Sequence, residues 1–193
     1  MKNLRSIVLA MVLLLILLAG MVLYFRQEVS QQAVVKQIQG LNRLETVAYT
    51  MEKIVAGGKS SGALMDLLFG DKMLFIANGR VIAGIDLSSV TEEDVSITKK
   101  DIYIRLPAPQ IFFVTIDNNK SSVYDRTTGL FTKGNKDLET KVRTDAEAIL
   151  RTTACDDGIL DRANEQAVKH LTSLFKALHY DMVTIETHRG ICK

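Results

Sequence analysis

Three histidines, at positions 170, 179 and 188, are the first residues whose type suggests chemistry, since imidazole binds zinc and carries protons near neutral pH. Their spacing places them on a helix flank, a helix end and a tail, and no His-x-x-x-His or Glu-x-x-His pair occurs. His188 and Cys192 stand four apart, as ligands on one helix face would, but Gly190 between them opposes a helix. His170 reads instead as a boundary residue beside Leu171 and Leu174, and His179 as a helix-end residue near the negative dipole. No metal and no cofactor is assigned. Nucleophilic catalysis would need a Ser or Cys beside a base. There is no Gly-x-Ser-x-Gly, and Cys155 has Arg151 one helical turn back but no His near it in sequence. A glycan hydrolase needs two carboxylates across a cleft, and 22 acidic residues leave that pair unassigned. No catalytic residue is therefore named. Glu92-Glu93-Asp94 reads as a solvated loop, and no Gly-rich phosphate loop follows a strand. The polar cluster left for inspection is Tyr124-Asp125-Arg126, a phenol, a carboxylate and a guanidinium in succession. It is the candidate binding site, weighed against a set of local salt bridges.

These residues must be positioned by an α+β fold. RQEVSQQAVVKQIQGLNRLE places Val34 or Val35, Ile38, Leu41 and Leu44 three or four apart, which predicts an amphipathic stalk helix over 26–43, weakened by Gly40. LETVAYTMEKIV alternates at Val47, Tyr49, Met51 and, after a slip, Ile54, so a first strand is expected, stopped by Gly57-Gly58. Residues 59–72 offer Ser60 or Ser61 as a cap and Gly70 as a stop for a short helix. MLFIA and RVIAGIDL flank Asn78-Gly79, the pair that most strongly signals a hairpin turn. VSIT and IYIRL flank Lys99-Lys100-Asp101 as a second hairpin, ended by Pro107 and Pro109. IFFVTID and SSVYDR flank Asn118-Asn119-Lys120 as a third turn. Three hairpins imply an antiparallel sheet. Helical periodicity then runs through Leu138, Val142, Ala146, Ile149 or Leu150 and Ala154. Past Asp156-Asp157-Gly158 it resumes through Leu160, Ala163, Ala167, Leu171, Leu174 and Leu178. These C-terminal helices are expected on one face of the sheet. MVTIETH reads as a closing strand.

Residues 7–25, IVLAMVLLLILLAGMVLYF, carry no charge and lie between Arg5 and Arg26. At about 1.5 Å per residue such a run is about 28 Å of helix, close to the thickness of a bilayer core. No cleavage signal closes it, and Met21 stands where a lipoprotein would need cysteine. An N-terminal transmembrane helix is expected, its partner being the lipid bilayer. The basic tail 1–6 is expected in the cytoplasm and the 44–193 α+β domain outside it. All 22 acidic residues and 21 of the 24 basic ones follow Arg26, leaving that part at −1. Near-neutrality, no Trp and no arginine-rich block argue against nucleic acid as a partner. Cys155 and Cys192 form either one disulfide in an oxidising compartment or a half-buried thiol at a helix end and a free one in the tail.

Taken in order, NRLETVAYTMEKIV, LFIANGRVIAGIDLSSV, DIYIRLPAPQIF, SSVYDRTTGLF and DDGILDRANEQAVKHL resemble the family of domains of unknown function numbered four thousand two hundred and thirty, over roughly residues 34 to 187. The resemblance implies a bacterial, membrane-anchored protein with one α+β domain, and it implies no activity and no catalytic residue. Gly79, Arg80, Gly84, Asp86, Pro107 and Asp125 match the family's pattern, and each is a type that a fold alone can require: glycines for backbone geometry, carboxylates for capping turns at strand ends. The functional expectation is an uncharacterised anchored protein whose outer domain binds or scaffolds an envelope component, whether another envelope protein, a lipid headgroup or a second copy of itself, without catalysis. The alternative is an envelope hydrolase whose site assembles only in three dimensions.

Overall fold

The computed structural model describes residues 11–18, 20, 30–58 and 62–192. Residues 11–18 and 20 are helical, and among the described residues no helix is long and apolar enough to cross a membrane. The rest of the expected span 7–25, the tail 1–6 and the start of the expected stalk lie outside the described residues. The stalk helix itself is shorter than expected: α1 runs Gln31–Gly40, ends at the glycine and buries Val34, Val35 and Ile38.

Two strands of sixteen residues dominate the fold, β1 (Arg43–Gly58) and β2 (Asp71–Asp86). They pair antiparallel from Arg43↔Asp86 to Gly58↔Lys72, with a bulge near Thr46, and a seven-residue helix, α2 (Ala63–Phe69), joins their far ends. At about 3.3 Å per residue this ribbon is about 50 Å long. Beyond β2 lie β5 (Gln110–Ile116) and β6 (Ser122–Thr128), and both pair antiparallel with β2, β5 along 79–84 and β6 along 71–76. They are two halves of one interrupted strand.

This topology corrects two hairpins expected from sequence, although the turn at Asn118-Asn119-Lys120 is present. Asn78-Gly79 is not a hairpin turn but the middle of β2, because partners on both edges hold the chain extended and override its turn propensity. Gly79 is required for close approach: a Cβ there would stand 2.3 Å from the Leu150 side chain and 3.0 Å from the Thr115 carbonyl. Gly84 serves the same end against the Leu44 carbonyl. Likewise 117–121 is not a hairpin but an excursion between β5 and β6, pinned to Asn78. The Asp117 N–H donates to the Asn78 carbonyl at 2.8 Å, the Asn78 N–H to Ser121 Oγ at 3.0 Å, and Asn78 Nδ2 to the Lys120 carbonyl at 3.1 Å. Ile54, expected on the buried face, is 70% exposed, since the register puts Val55 and its odd-numbered neighbours inward.

The hairpin expected around Lys99 is real. β3 (Val95–Thr98) and β4 (Asp101–Arg105) pair across a turn with Lys99 at φ 58°. It belongs to a second sheet, in which β7 (Met182–Glu186) lies parallel to β4, so the described residues form two sheets, one of them mixed. Two helices of nineteen residues, α3 (Leu138–Asp156) and α4 (Ile159–Ala177), cover one face of the first sheet. α3 buries Leu138, Val142, Ala146, Leu150 and Ala154, the expected stripe. On α4 the stripe ends on Phe175, while Leu174 and Leu178 are exposed. The core has a distal part beneath α3 around Phe75, a middle part around Val81 and Leu150, and a proximal part. In the proximal part α1, β3, β4 and α4 close on Ile85, Leu87 and Ile104. The two cysteines, left open by sequence, form one disulfide with Cα atoms 6.1 Å apart, which ties residues 187–192 to the end of α3.

Candidate functional site

The distal end of the long ribbon, farthest from α1, concentrates the features that bear on function. β2 begins there at Asp71, opposite Thr128 of β6. Arg126 donates to both carboxylate oxygens of Asp71, at 3.1 and 2.9 Å, and to the Asn135 carbonyl at 2.8 Å. The Asn135 N–H returns to Asp71 at 2.5 Å. This fork clamps the segment 129–137 onto the sheet. Gly134, at φ 76°, occupies the left-handed region, where a side chain would be strained and would approach Arg126 at 3.2 Å. Hydrogen bonds from Arg126 and Asn135 hold the Asp71 carboxyl below its ordinary pKa, with burial opposing them. Asp71 therefore carries a fixed charge at neutral pH and is a poor proton donor.

The expected triplet is divided. Arg126 faces Asp71 on the helix side. Asp125, opposite Leu74, faces the uncovered side, and Tyr124 is the extra residue of a bulge between the Leu74 and Phe75 pairings and is 71% exposed. Asp125 also lies inside β6 and not at a strand end, whereas Asp86 caps a turn by accepting the Ser88 N–H at 3.1 Å. Two concavities flank this end of the sheet, each of about 410 Å³. One lies between α2 and the start of α3, lined by Met65, Phe69, Asp71, Asn135, Leu138 and Lys141. The other opens on the bare face beside Ala56, Lys72, Leu74, Asp125 and Thr127.

A helix of seven residues is too short to hold itself together in water. α2 is held by its partner loop: the Leu130 and Phe131 N–H groups donate to the Leu67 and Leu68 carbonyls, at 3.1 and 2.8 Å, satisfying acceptors that every helix end leaves open. Gly129 donates to the Gly70 carbonyl at 2.7 Å and comes so close to the Leu68 backbone that only glycine fits. The polarity of α2 is inverted relative to an ordinary surface helix. Its one charged residue, Asp66, turns inward to Lys72 at 2.7 Å, while Leu64, Leu67 and Phe69 are 70%, 60% and 54% exposed. Leu130 and Phe131 add two more apolar side chains, 74% and 72% exposed, and the Phe69 and Phe131 rings stand 6.1 Å apart. Large apolar side chains exposed together in this way are uncommon on a monomeric surface. Sequence reasoning missed them, although LMDLLF and GLF, each short and apolar beside glycine, were their signal.

A second polar cluster, also missed, follows from the parallel pairing of β4 with β7, which sets Arg105 opposite Glu186. Tyr103 donates its hydroxyl to Glu186, and Arg105 lies 3.7 Å from Glu186 and 3.8 Å from Asp94. The Thr91 N–H and hydroxyl hold Asp94 below its ordinary pKa, and Tyr103 does the same for Glu186, so both are fixed charges that fasten the second sheet. The histidines stay apart: His170 is exposed on α4, His179 sits at φ 67° in the turn before β7, and His188 Nδ1 is 3.1 Å from the Leu106 carbonyl. Among the described residues no group of three or more His, Cys, Asp or Glu side chains is placed to hold a metal ion.

No curated protein and no solved structure matches the chain. One family model does, that of a protein of unknown function, DUF4230, over residues 36–185, from within α1 to within β7, and the chain belongs to that family.

Proposed function

We propose that the protein is a single-pass membrane protein whose α+β domain lies outside the cytoplasm and docks an envelope component through its distal end, without catalysis. Residues 7–25 supply the anchor in this reading, with the tail 1–6 inside. The Cys155–Cys192 disulfide supports the location, because disulfides persist in oxidising compartments and are rare in the cytoplasm. The single observation that carries the docking role is the exposed apolar end formed by α2 and residues 129–132. The rival reading, an envelope hydrolase, finds less support. Of the two carboxylates bordering the cavity beneath α2, Asp66 is paired with Lys72 and Asp71 has its pKa pushed down, away from what a general acid near neutrality needs.

The test replaces the wild-type chain in its host with one carrying Leu67→Asp and Leu130→Asp. Alkylation trapping should show Cys155 and Cys192 still oxidised, carbonate washing should leave the protein with the membrane, and growth under envelope stress should fail. Full support of growth by that variant would remove the docking role. Free thiols in the wild-type chain would move the domain into the cytoplasm.

A further inference from the structure

We infer that what the distal end docks to is the surface of a lipid bilayer with anionic headgroups, a reading that rests on the docking role proposed above. Three features of the knob select a fluid apolar partner over a complementary protein surface. First, it is open to solvent. Leu64, Leu67, Phe69, Leu130 and Phe131 stand 54% to 74% exposed on a short helix and a turn, and of these five Phe69 alone borders the concavity between α2 and the start of α3. Second, among the described residues the charges of this end are drawn inward, Asp66 to Lys72 and Asp71 to Arg126, and the carbonyls of Leu67 and Leu68 are taken by backbone N–H groups, so none of these four groups is stranded when the exposed apolar side chains enter hydrocarbon. Third, the charges that flank it complement an anionic surface. Lys133, Lys136 and Lys141 make no ion pair among the described residues, and Lys141 lines the cavity beside Met65 and Phe69. Against them on the same side stands Asp137, since Glu139 is held by Arg143 at 2.8 Å and Asp125 lies on the opposite face of the sheet. Two copies meeting end to end would bring these lysines together, whereas anionic headgroups neutralise them. Apolar side chains at the tip with lysines behind them form the amphipathic pattern that settles at a membrane interface.

The chain contains no tryptophan, so Phe131→Trp places a single reporter at the tip, at a position 72% exposed and therefore tolerant of the larger ring. The full-length Phe131→Trp protein is reconstituted in vesicles of equal phosphatidylglycerol and phosphatidylethanolamine, with and without bromine on the acyl chains. Blue-shifted emission that bromine quenches is expected. Neutralising Lys133 and Lys136 together should lower the bound-to-free ratio of the tip by about fivefold for each lysine, and high salt should mimic that loss. Red, unquenched emission from protein that resists carbonate extraction would overturn lipid insertion while leaving the anchor intact. A blue shift that bromine does not quench would mean contact with a second copy, and would equally overturn it. Quenched emission from protein that carbonate removes would sustain lipid insertion and sink the anchor.

Discussion

The two ends of the β1–β2 ribbon use apolar residues in opposite ways. At the proximal end Val34, Val35 and Ile38 of α1, Ile102 and Ile104 of β4, and Leu171 and Phe175 of α4 all lie within 4% of full burial, and the ring of Tyr180 packs edge-on against Phe175 at 5.8 Å. At the distal end α2 buries none of its residues, and the segment is fastened by polar and backbone bonds from Arg126, Asn135, Gly129 and Phe131. One end buries its helix against the core; at the other, beyond the part of the core around Phe75, α2 and residues 129–132 hold apolar side chains out to solvent and rely on a charged fork for shape. Exposed apolar surface persists at a cost in solubility, so its concentration at one end points to a role at that end.

The sharpest way to break this contrast is to make the same substitution at both ends. Phe175→Ala should cost about 3–5 kcal/mol in urea unfolding through lost burial and a cavity. Phe131→Ala should stay within about 0.5 kcal/mol of wild type. Comparable losses would show that α2 and residues 129–132 belong to the core and are not held out from it. Replacing Cys155 and Cys192 together by Ser should cost about 2–4 kcal/mol, because the bridge closes a loop across a sequence separation of 37. Reduction with dithiothreitol should reproduce that loss.

Within the distal end, Arg126→Ala should cost about 1.5–3 kcal/mol, since it strands the Asp71 carboxylate and the Asn135 carbonyl. Tyr124→Ala, at the exposed bulge, should change stability by less than about 0.5 kcal/mol. Asp71 also predicts a pH signature. Its folded pKa lies below its unfolded one, so its contribution is complete above the unfolded value and is lost as pH falls through the folded value, below about pH 4. Asp71→Asn should flatten that acid limb of stability against pH, and a variant with an unchanged acid limb would show that the fork does not set it.

Much of the fold was legible in sequence because local periodicity carries it. The α3 stripe from Leu138 to Ala154 and the β3–β4 hairpin follow from spacing and turn residues alone. What sequence could not show was pairing across distance. Asn78-Gly79 has every local mark of a turn, yet strands on both sides of β2 hold it extended, and the glycine is needed by Leu150, seventy-one residues onward in the chain. The candidate triplet is divided for the same reason. Tyr124, Asp125 and Arg126 are neighbours in sequence, but a bulge and the alternation of β6 part them, and the true partner of Arg126 lies fifty-five residues back at Asp71. The inverted polarity of α2 was hidden because a short apolar helix reads the same whether its apolar side faces in or out.

The central claim, that the distal end docks while the rest of the surface does not, is tested most directly by hydroxyl-radical footprinting of the full-length protein in its native membranes. Ile54, 70% exposed on the bare face of the sheet, is the internal reference for Leu130 and Phe131, which are 74% and 72% exposed. Docking predicts that Leu130 and Phe131 are oxidised several-fold less than Ile54, with Phe75 silent throughout. Oxidation of Leu130 and Phe131 equal to or above that of Ile54 would contradict it.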